Sequence, residues 1–598
     1  MRKENKVLRR NEYYAIQDKL DELYEKSKRG TTFKDLMSLI ASPQNIGLAY
    51  RRIKRNEGRN TPDSNKDTIE QIAEMGSDKL VEYVQQRLAN YNPHPVRRVL
   101  IPKDNGKERP LGIPTIEDRL IQQCILQVLE PICEAKFHKH SYGFRPNRNT
   151  HHAIGRFRFL AFTVKLEYVV DADIKGFFDN VDHAKLLKQM WSLGIQDKNL
   201  ICVISKLPKA SIVREGVPRK GTPQGGILSP LLSNIVLNEL GWWISSQWAT
   251  IPSDYPYRWD GDKFTALKKT NLKEMYSVRY ADDFKIFCRN KRDAEYIMIA
   301  VEKWLKERLN LEISPEKSKI TNLRRHYSEF LGFEIKLMEK EKQNVVVSHL
   351  TDKAKKKVFE KLRKSIRNAQ GNEDKARVLN STIRGLHNYY CVATWVSKDF
   401  WKINYLLLPT LKHITRSNGK LGPPLSAFQK EKYAGYHGRR FLIGKIVIEL
   451  IYAVTFTIPY GFKQETCNYT EVGRQLIHEK RNHLSVIFRY LAENPLQHAS
   501  VELNDNRISR VSAQNGKCAA TKKQLTVDDM RVHKIYPNGG DGYRNIDIVS
   551  CDIYRLIRSS NEGEIKVLVD KLMGEELWNE NVLKKTNYYR NLVGNTNI

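Results

Sequence analysis

The sequence predicts a multidomain α+β protein, and three observations carry that expectation. A chain of 598 residues exceeds what one ordinary hydrophobic core organises, so several domains are expected. From Pro95 to about Leu337 the apolar pattern mixes strands and helices, whereas helical patterns dominate before and after it. Within that mixed region two strand-like segments carry acids. Tyr168-Val169-Val170-Asp171-Ala172-Asp173 is an apolar strand ending in carboxylates, and Tyr280-Ala281-Asp282-Asp283, flanked by Tyr276 to Arg279 and Phe284 to Cys288, reads as a hairpin presenting two more.

Residues 1 to about 90 are polar, with Ile16, Leu20 and Leu23, then Leu36, Leu39 and Ile40, at helical spacings. The basic cluster Arg51-Arg52-Ile53-Lys54-Arg55 there is either a solvated helix face or a phosphate-binding patch. Between the two acidic segments lies Gly221-Thr222-Pro223-Gln224-Gly225-Gly226-Ile227-Leu228-Ser229-Pro230, a glycine-rich turn entering an apolar stretch from Leu231 to Leu240 that is expected to be helical. Its glycines permit close backbone approach to a ligand. Asp352 to Asn368 repeats Lys and Arg around Val358, Phe359, Leu362 and Ile366, the pattern of a basic amphipathic helix. Ala376 to Tyr390 should form a second helix. Tyr389 and Tyr390 at its end suit base stacking or, more commonly, core packing. Gly419-Lys420-Leu421-Gly422-Pro423-Pro424 breaks the helical pattern and marks a domain boundary. Beyond it, Lys430 to Arg440 is basic and aromatic, and Lys463 to Arg489 adds charge.

Composition narrows the partners. Lys and Arg number 101 against 68 Asp and Glu, a formal charge of +33, which attracts phosphates and makes nucleic-acid binding salt-dependent. The charged start Met1-Arg2-Lys3-Glu4-Asn5-Lys6 lacks the apolar stretch of a signal peptide. The most apolar region, Ile446 to Ile458, contains Glu449 and falls short of the ~20 residues that span a bilayer. An interior, membrane-free location is expected. The eight cysteines include no Cys-x-x-Cys pair, which points to reduced thiols.

Adjacent carboxylates on separate strands favour a divalent cation, and phosphoryl transfer with two Mg²⁺ ions roughly 3.5–4 Å apart is the chemistry that needs such a set. Asp171 and Asp173 compete for the role of first acid, since residues two apart share a strand face.

The order of the acidic strand, the Pro223-Gln224-Gly225 helix and the Tyr280-Ala281-Asp282-Asp283 hairpin resembles the palm of a reverse transcriptase. Further blocks narrow the likeness. Arg109-Pro110-Leu111-Gly112-Ile113-Pro114-Thr115, Ser141-Tyr142-Gly143-Phe144-Arg145-Pro146, Asp173-Ile174-Lys175-Gly176-Phe177-Phe178, Leu311-Glu312-Ile313-Ser314-Pro315-Glu316-Lys317-Ser318 and Phe330-Leu331-Gly332-Phe333 fall in the order found in group II intron-encoded reverse transcriptases. The similarity runs from about Val96 to about Tyr390.

What the resemblance implies is a right-hand polymerase. Its parts would be an N-terminal extension (1–90), fingers and palm (91–345), a helical thumb or maturase domain (346–422), a DNA-binding region (423–504) and a C-terminal region (505–598). It implies RNA-directed DNA synthesis with Asp173, Asp282 and Asp283 as catalytic acids and metal ligands, and the Ile174 carbonyl as a further Mg²⁺ ligand. Asp173 is preferred to Asp171 because it immediately precedes Ile174-Lys175-Gly176. Lys103 and Arg109 would pair with the triphosphate, Gln224 would touch the nascent base pair, Phe178 would crowd a ribose 2′-hydroxyl, and Lys317 would protonate departing pyrophosphate. The implied partners are intron RNA, target DNA and deoxynucleoside triphosphates in the bacterial cytoplasm, as a ribonucleoprotein; a homodimer is left open. A splicing factor that makes little use of its polymerase site, and a relative recruited to defence or repair, are the alternative readings.

The last hundred residues resemble a degenerate HNH endonuclease module. Asp528-Asp529-Met530-Arg531-Val532-His533-Lys534, Gly539-Gly540-Asp541-Gly542-Tyr543-Arg544-Asn545 and Ile553-Tyr554-Arg555 keep His533 and Asn545. Lys534 and Tyr554 stand where that family has histidines, and a protonated lysine cannot bind a cation. Cys518 has no partner for zinc. The resemblance with these departures implies a DNA-binding remnant without cleavage.

Overall fold

A computed structural model describes residues 11–102, 108–222, 224–341, 343–415, 433, 441–477 and 485–598. The chain forms two compact units, each drawn from separated stretches: 1–137 with 178–236 and 464–598, and 138–177 with 237–463.

In the first unit, helices Gln17–Lys28 and Pro43–Ile53 pack on the long helix Ile116–Glu134, and helix Ser77–Ala89 packs on Pro43–Ile53. Thr115 starts that helix by accepting a hydrogen bond from the Asp118 N–H. Just before it, the hairpin of β1 (Arg97–Pro102) and β2 (Glu108–Ile113) pairs Arg97 with Ile113. The N-terminal helices are clamped to the C-terminal helix Val501–Ala513. Arg51 and Asp505, each 3% exposed, form an ion pair at 2.9 Å, and the Tyr14 hydroxyl donates to the same carboxylate. Burial pushes Asp505 up, but Arg51 and Lys54 together hold it below the usual carboxylate range. Within the basic cluster at 51–55, Arg51 and Lys54 are engaged by Asp505 and Glu502, while Arg55 is exposed. Spacing alone could not reveal partners 450 residues away.

The same unit also holds a two-stranded hairpin, Met530–Lys534 against Ile546–Ser550, followed at once by helix Cys551–Arg558.

In the second unit, an antiparallel four-stranded sheet has the order β4 (Met275–Tyr280), β5 (Asp283–Cys288), β3 (Tyr168–Ala172), β6 (Lys319–Asn322). A three-stranded meander, β7 (Ser328–Phe330), β8 (Phe333–Lys340) and β9 (Gln343–Leu350), continues the chain. Three helices follow, Asp352–Asn368, Glu373–Tyr390 and Val396–Ile414. The first is the basic amphipathic helix the sequence predicts: Thr351 caps it, and Ala354, Val358, Leu362 and Ile366 are its buried stripe at four-residue spacing. Those residues join Val169, Val278, Phe287, Phe330 and Phe333 of the strands and Leu379, Ile383 and Phe400 of the next helices in one core. The helices thus share the sheet's core, and truncating a central ring such as Phe333 would cost about 3–5 kcal/mol. The break proposed at 419–424 and the basic segment 430–440, apart from Tyr433, lie outside the described residues. Among the described residues no helix is long and apolar enough to cross a membrane, and all eight cysteines are free thiols.

Candidate active site

Strand alternation and register bring the acids to one face. β3 pairs Asp171 with Lys285 and Ala172 with Phe284. Continuing that register by one residue sets Asp173 opposite Asp283. Side chains at i and i+2 share a face, so Asp171, Asp173, Asp283 and Lys285 project together, while Val170 and Ile286 point the other way. The hairpin between β4 and β5 closes on the Tyr280–Asp283 pair, leaving Ala281 and Asp282 as its two-residue loop. Ala281 takes the left-handed backbone at φ 58°. Its carbonyl accepts a hydrogen bond from Arg279 Nη1 at 2.9 Å, and burial, reinforced by Arg145, pulls that guanidinium down to about 9 against the opposing effect of Asp282.

The two acids of β3 have different surroundings. Asp171 is buried and saturated: Lys285 Nζ lies 2.9 Å from Oδ1, the Thr321 hydroxyl donates to Oδ2 at 3.0 Å, and the Ser328 hydroxyl donates at 3.2 Å. Asp173 is 45% exposed and meets only one cation among the described residues, Lys317 at 3.0 Å. Its backbone N–H donates to Ser318 Oγ. The following residue, Ile174, bridges to Ile313 through bonds from Ser314 N–H to the Asp173 carbonyl and from Lys175 N–H to the Glu312 carbonyl; neither uses the Ile174 carbonyl. Asp283 sits between charges. Burial first, and then Asp171 and Asp282, raise its carboxyl, against the lowering effect of Lys285 at 3.5 Å.

Asp171, Asp173, Asp283, Lys285 and Lys317 line a cleft of about 700 Å³, together with Lys353, Lys357, Tyr389 and Tyr390. Tyr389 is 36% exposed; its ring stacks on Phe333 with centroids 5.9 Å apart, and its hydroxyl donates to the Leu331 carbonyl. It is both a packing residue and part of the cleft wall. The cleft therefore combines carboxylates on a rigid sheet with ammonium groups and an aromatic edge.

Among the described residues, no three His, Cys, Asp or Glu side chains are grouped closely enough to hold a metal ion by themselves. Magnesium, however, is commonly bound by one or two carboxylates completed by substrate phosphates. Hard oxygen donors on Asp173 and Asp283, with the Asp283 charge resisted by its acidic neighbours, suit such a substrate-completed site.

The remaining predicted residues fall in the first unit or outside the described residues. Phe178, in the turn of helix Phe177–Asn180, and Gln224 belong to the first unit. There Gln224 lines a cavity of about 300 Å³ with Arg98, Asp179, Lys220 and Thr222. The Gly112 N–H donates to its carbonyl at 2.6 Å, and Gly225 beside it has φ 119°, with its α-carbon so near the Gly112 carbonyl that a side chain would collide. The backbone of Arg109 lies in β2 opposite Ile101. Lys103 lies outside the described residues.

In the C-terminal hairpin, Asn545 ties the loop together, accepting from the Tyr536 N–H and donating to the carbonyls of Tyr536 and Gly540. His533 is fully buried against the Tyr589 ring at 4.6 Å. Burial, reinforced by Arg558, pulls its imidazole down to about 4. Lys534 forms an ion pair with Asp541 at 2.6 Å. Arg558 lies over the Tyr554 ring.

Sequence reasoning missed Lys285. Its signal was present: two residues beyond Asp283 on a strand, it had to share that face. The anchoring pair Thr321 and Ser328 had no such signal, because only the folded sheet brings them to Asp171.

Residues 101–335 match the family described as reverse transcriptase (RNA-dependent DNA polymerase). The chain is 33% identical over 311 residues to Protein YkfC of Escherichia coli (strain K12), covering 48% of this chain and 79% of that protein. It is 30% identical over 478 residues to the Group II intron-encoded protein LtrA of Lactococcus lactis subsp. cremoris, covering 66% of this chain and 77% of that one. A 91 kDa protein in the cob intron of Schizosaccharomyces pombe is 28% identical over 495 residues, covering 69% and 59%.

Proposed function

The chain belongs to the group II intron-encoded proteins that carry a reverse transcriptase domain, and from that premise we propose that its acidic cleft copies intron RNA into DNA while other surfaces hold the intron for splicing and retrohoming. The observation that carries this reading is the shared face of Asp173 and Asp283, with Asp282 at the adjoining turn, in a cleft flanked by lysines.

Asp173, Asp282 and Asp283, with the Ile174 carbonyl, would hold magnesium together with the triphosphate. Bound there, the metal lowers the charge barrier to in-line attack and stabilises the leaving oxygen. The protein's own residues do the rest. Lys285 neutralises Asp171 and fixes the orientation of Asp283. Lys317 is placed to give a proton to departing pyrophosphate. Lys103 and Arg109 serve the triphosphate, Gln224 the nascent base pair, and Phe178 the discrimination against ribose. The exposed lysines Lys353 and Lys357 supply phosphate contacts along the cleft.

In functional terms residues 1–90 form the extension, 91–345 the fingers and palm, 346–422 the thumb or maturase domain, 423–504 the DNA-binding region and 505–598 the HNH-like remnant. The hairpin followed by helix Cys551–Arg558, with the loop-organising Asn545, supports the HNH likeness. The burial of His533 and the ion pair of Lys534 argue against metal-dependent cleavage. The setting is a cytoplasmic ribonucleoprotein.

Primer extension on an RNA template with a DNA primer tests this. Incorporation that needs Mg²⁺ and all three acids supports the polymerase; splicing assistance that survives Asp282→Ala/Asp283→Ala supports the second role. Absence of extension by a folded wild-type protein would leave only RNA binding.

A further inference from the structure

The second unit contains another cavity, of about 370 Å³, lined by His138, His140, Arg156, Phe159, Phe264 and Tyr276 with residues of the neighbouring helices. It shares no lining residue with the acidic cleft. Two buried donors border it without partners among the described residues, His138 Nε2 and Arg156 Nε.

His138 is only 4% exposed. Its Nδ1 accepts from the His140 N–H at 3.4 Å, which assigns the ring proton to Nε2. Burial, reinforced by Arg279, Lys139, Arg145 and Arg156, pulls the ring down to about 3, so it is a neutral donor at neutral pH. Arg156 has no carboxylate within ion-pair distance among the described residues; its guanidinium lies instead against Phe159 at 5.4 Å and Tyr276 at 5.8 Å. The acids on the wall do not compensate. Glu274 is engaged by Arg289 at 2.6 Å, and Asp260 is exposed at the start of its helix.

A desolvated cation and an unpaired buried N–H are both costly, and together they ask for an anion rich in acceptors. Phosphate satisfies a guanidinium and a neighbouring donor at once. Aromatic walls suit a base, and the volume falls within the usual range for small-molecule sites. We propose that this cavity binds a nucleoside phosphate, with Arg156 Nε–H and His138 Nε2–H donating to the phosphate and Phe159 and Tyr276 packing against the nucleoside. The same chemistry serves a free mononucleotide or one unit of an RNA strand.

The test is equilibrium dialysis of the full-length protein with radiolabelled adenosine monophosphate in EDTA, where metal-dependent nucleotide binding in the acidic cleft is silent. One equivalent should bind wild type and Asp173→Asn alike. Arg156→Met and His138→Phe should each weaken binding at least tenfold without altering the far-ultraviolet circular dichroism. Should either variant fail to fold, photolysis of wild type with 8-azidoadenosine monophosphate decides: label on peptides containing Phe159 or Tyr276 supports the site. An RNA oligonucleotide that displaces the nucleotide identifies a strand as the source, and one that does not identifies the free nucleotide; either result leaves the site standing. No binding, binding indifferent to Arg156→Met, or label confined to peptides of the acidic cleft would overturn it.

Discussion

Lys317 Nζ lies 3.0 Å from Asp173 Oδ2, and both side chains are substantially exposed, 65% and 45%. An exposed ion pair contributes little to stability, about 0–1 kcal/mol, so the pairing does little to hold the fold and, in the proposed mechanism, places a proton donor beside an acid. Lys317→Met should slow single-nucleotide incorporation by about 10²-fold or more, the usual share of a general acid, while the melting temperature stays within ~2 °C. Incorporation by Lys317→Met at the wild-type rate would contradict that role.

Asp171 and Asp173 share a strand face but should fail in opposite ways. Removing Asp171 leaves Lys285 buried with, among the described residues, only the more distant Asp283 as its carboxylate, and breaking a buried pair costs about 3–5 kcal/mol. Denaturant titration should find Asp171→Ala strongly destabilised and Asp173→Ala within about 0.5 kcal/mol of wild type. The reverse order would exchange their roles.

How far this was legible in the sequence depends on the range of the interaction. The acidic strand, the hairpin, and helices such as Asp352–Asn368 follow from local periodicity, and the structure forms them there. The pairing of Arg51 with Asp505 and the anchoring of Asp171 by Thr321 and Ser328 depend on contacts between remote segments, which no local pattern encodes. The choice of Asp173 over Asp171 rests on family likeness, and the buried hydrogen bonds that occupy Asp171 are consistent with it.

Gly143 packs directly against the acidic hairpin. A β-carbon there would collide with the Ala281 backbone nitrogen and lie 2.9 Å from the Tyr280 carbonyl carbon. Neither neighbour is a flexible side chain, so Gly143→Ala must displace the turn that carries Asp282. A misplacement near 1 Å is expected to reduce turnover about 10²-fold. Primer extension should show the loss in kcat rather than in KM for the nucleotide.

His533 makes the C-terminal hairpin acid-sensitive. Its folded pKa, about 4, lies below the unfolded value of about 6.5, so its contribution is fully present above pH 6.5 and is lost as pH falls towards 4. The amount is roughly 2 kcal/mol after allowance for solvent screening. Protection factors across residues 530–558, corrected for intrinsic exchange at each pH, should fall over that interval in wild type, and the fall should be blunted in His533→Leu.

Three carboxylates at one end of the two central strands, β3 and β5, are proposed to perform the chemistry. Single-turnover primer extension on an RNA template, run with wild type and with Asp173→Asn, Asp282→Asn and Asp283→Asn at matched protein stability, tests it most directly. Each folded variant should lose at least about 10³-fold in rate, the scale of removing a group that stabilises transition-state charge. Near wild-type extension by Asp173→Asn together with either hairpin variant would contradict the account.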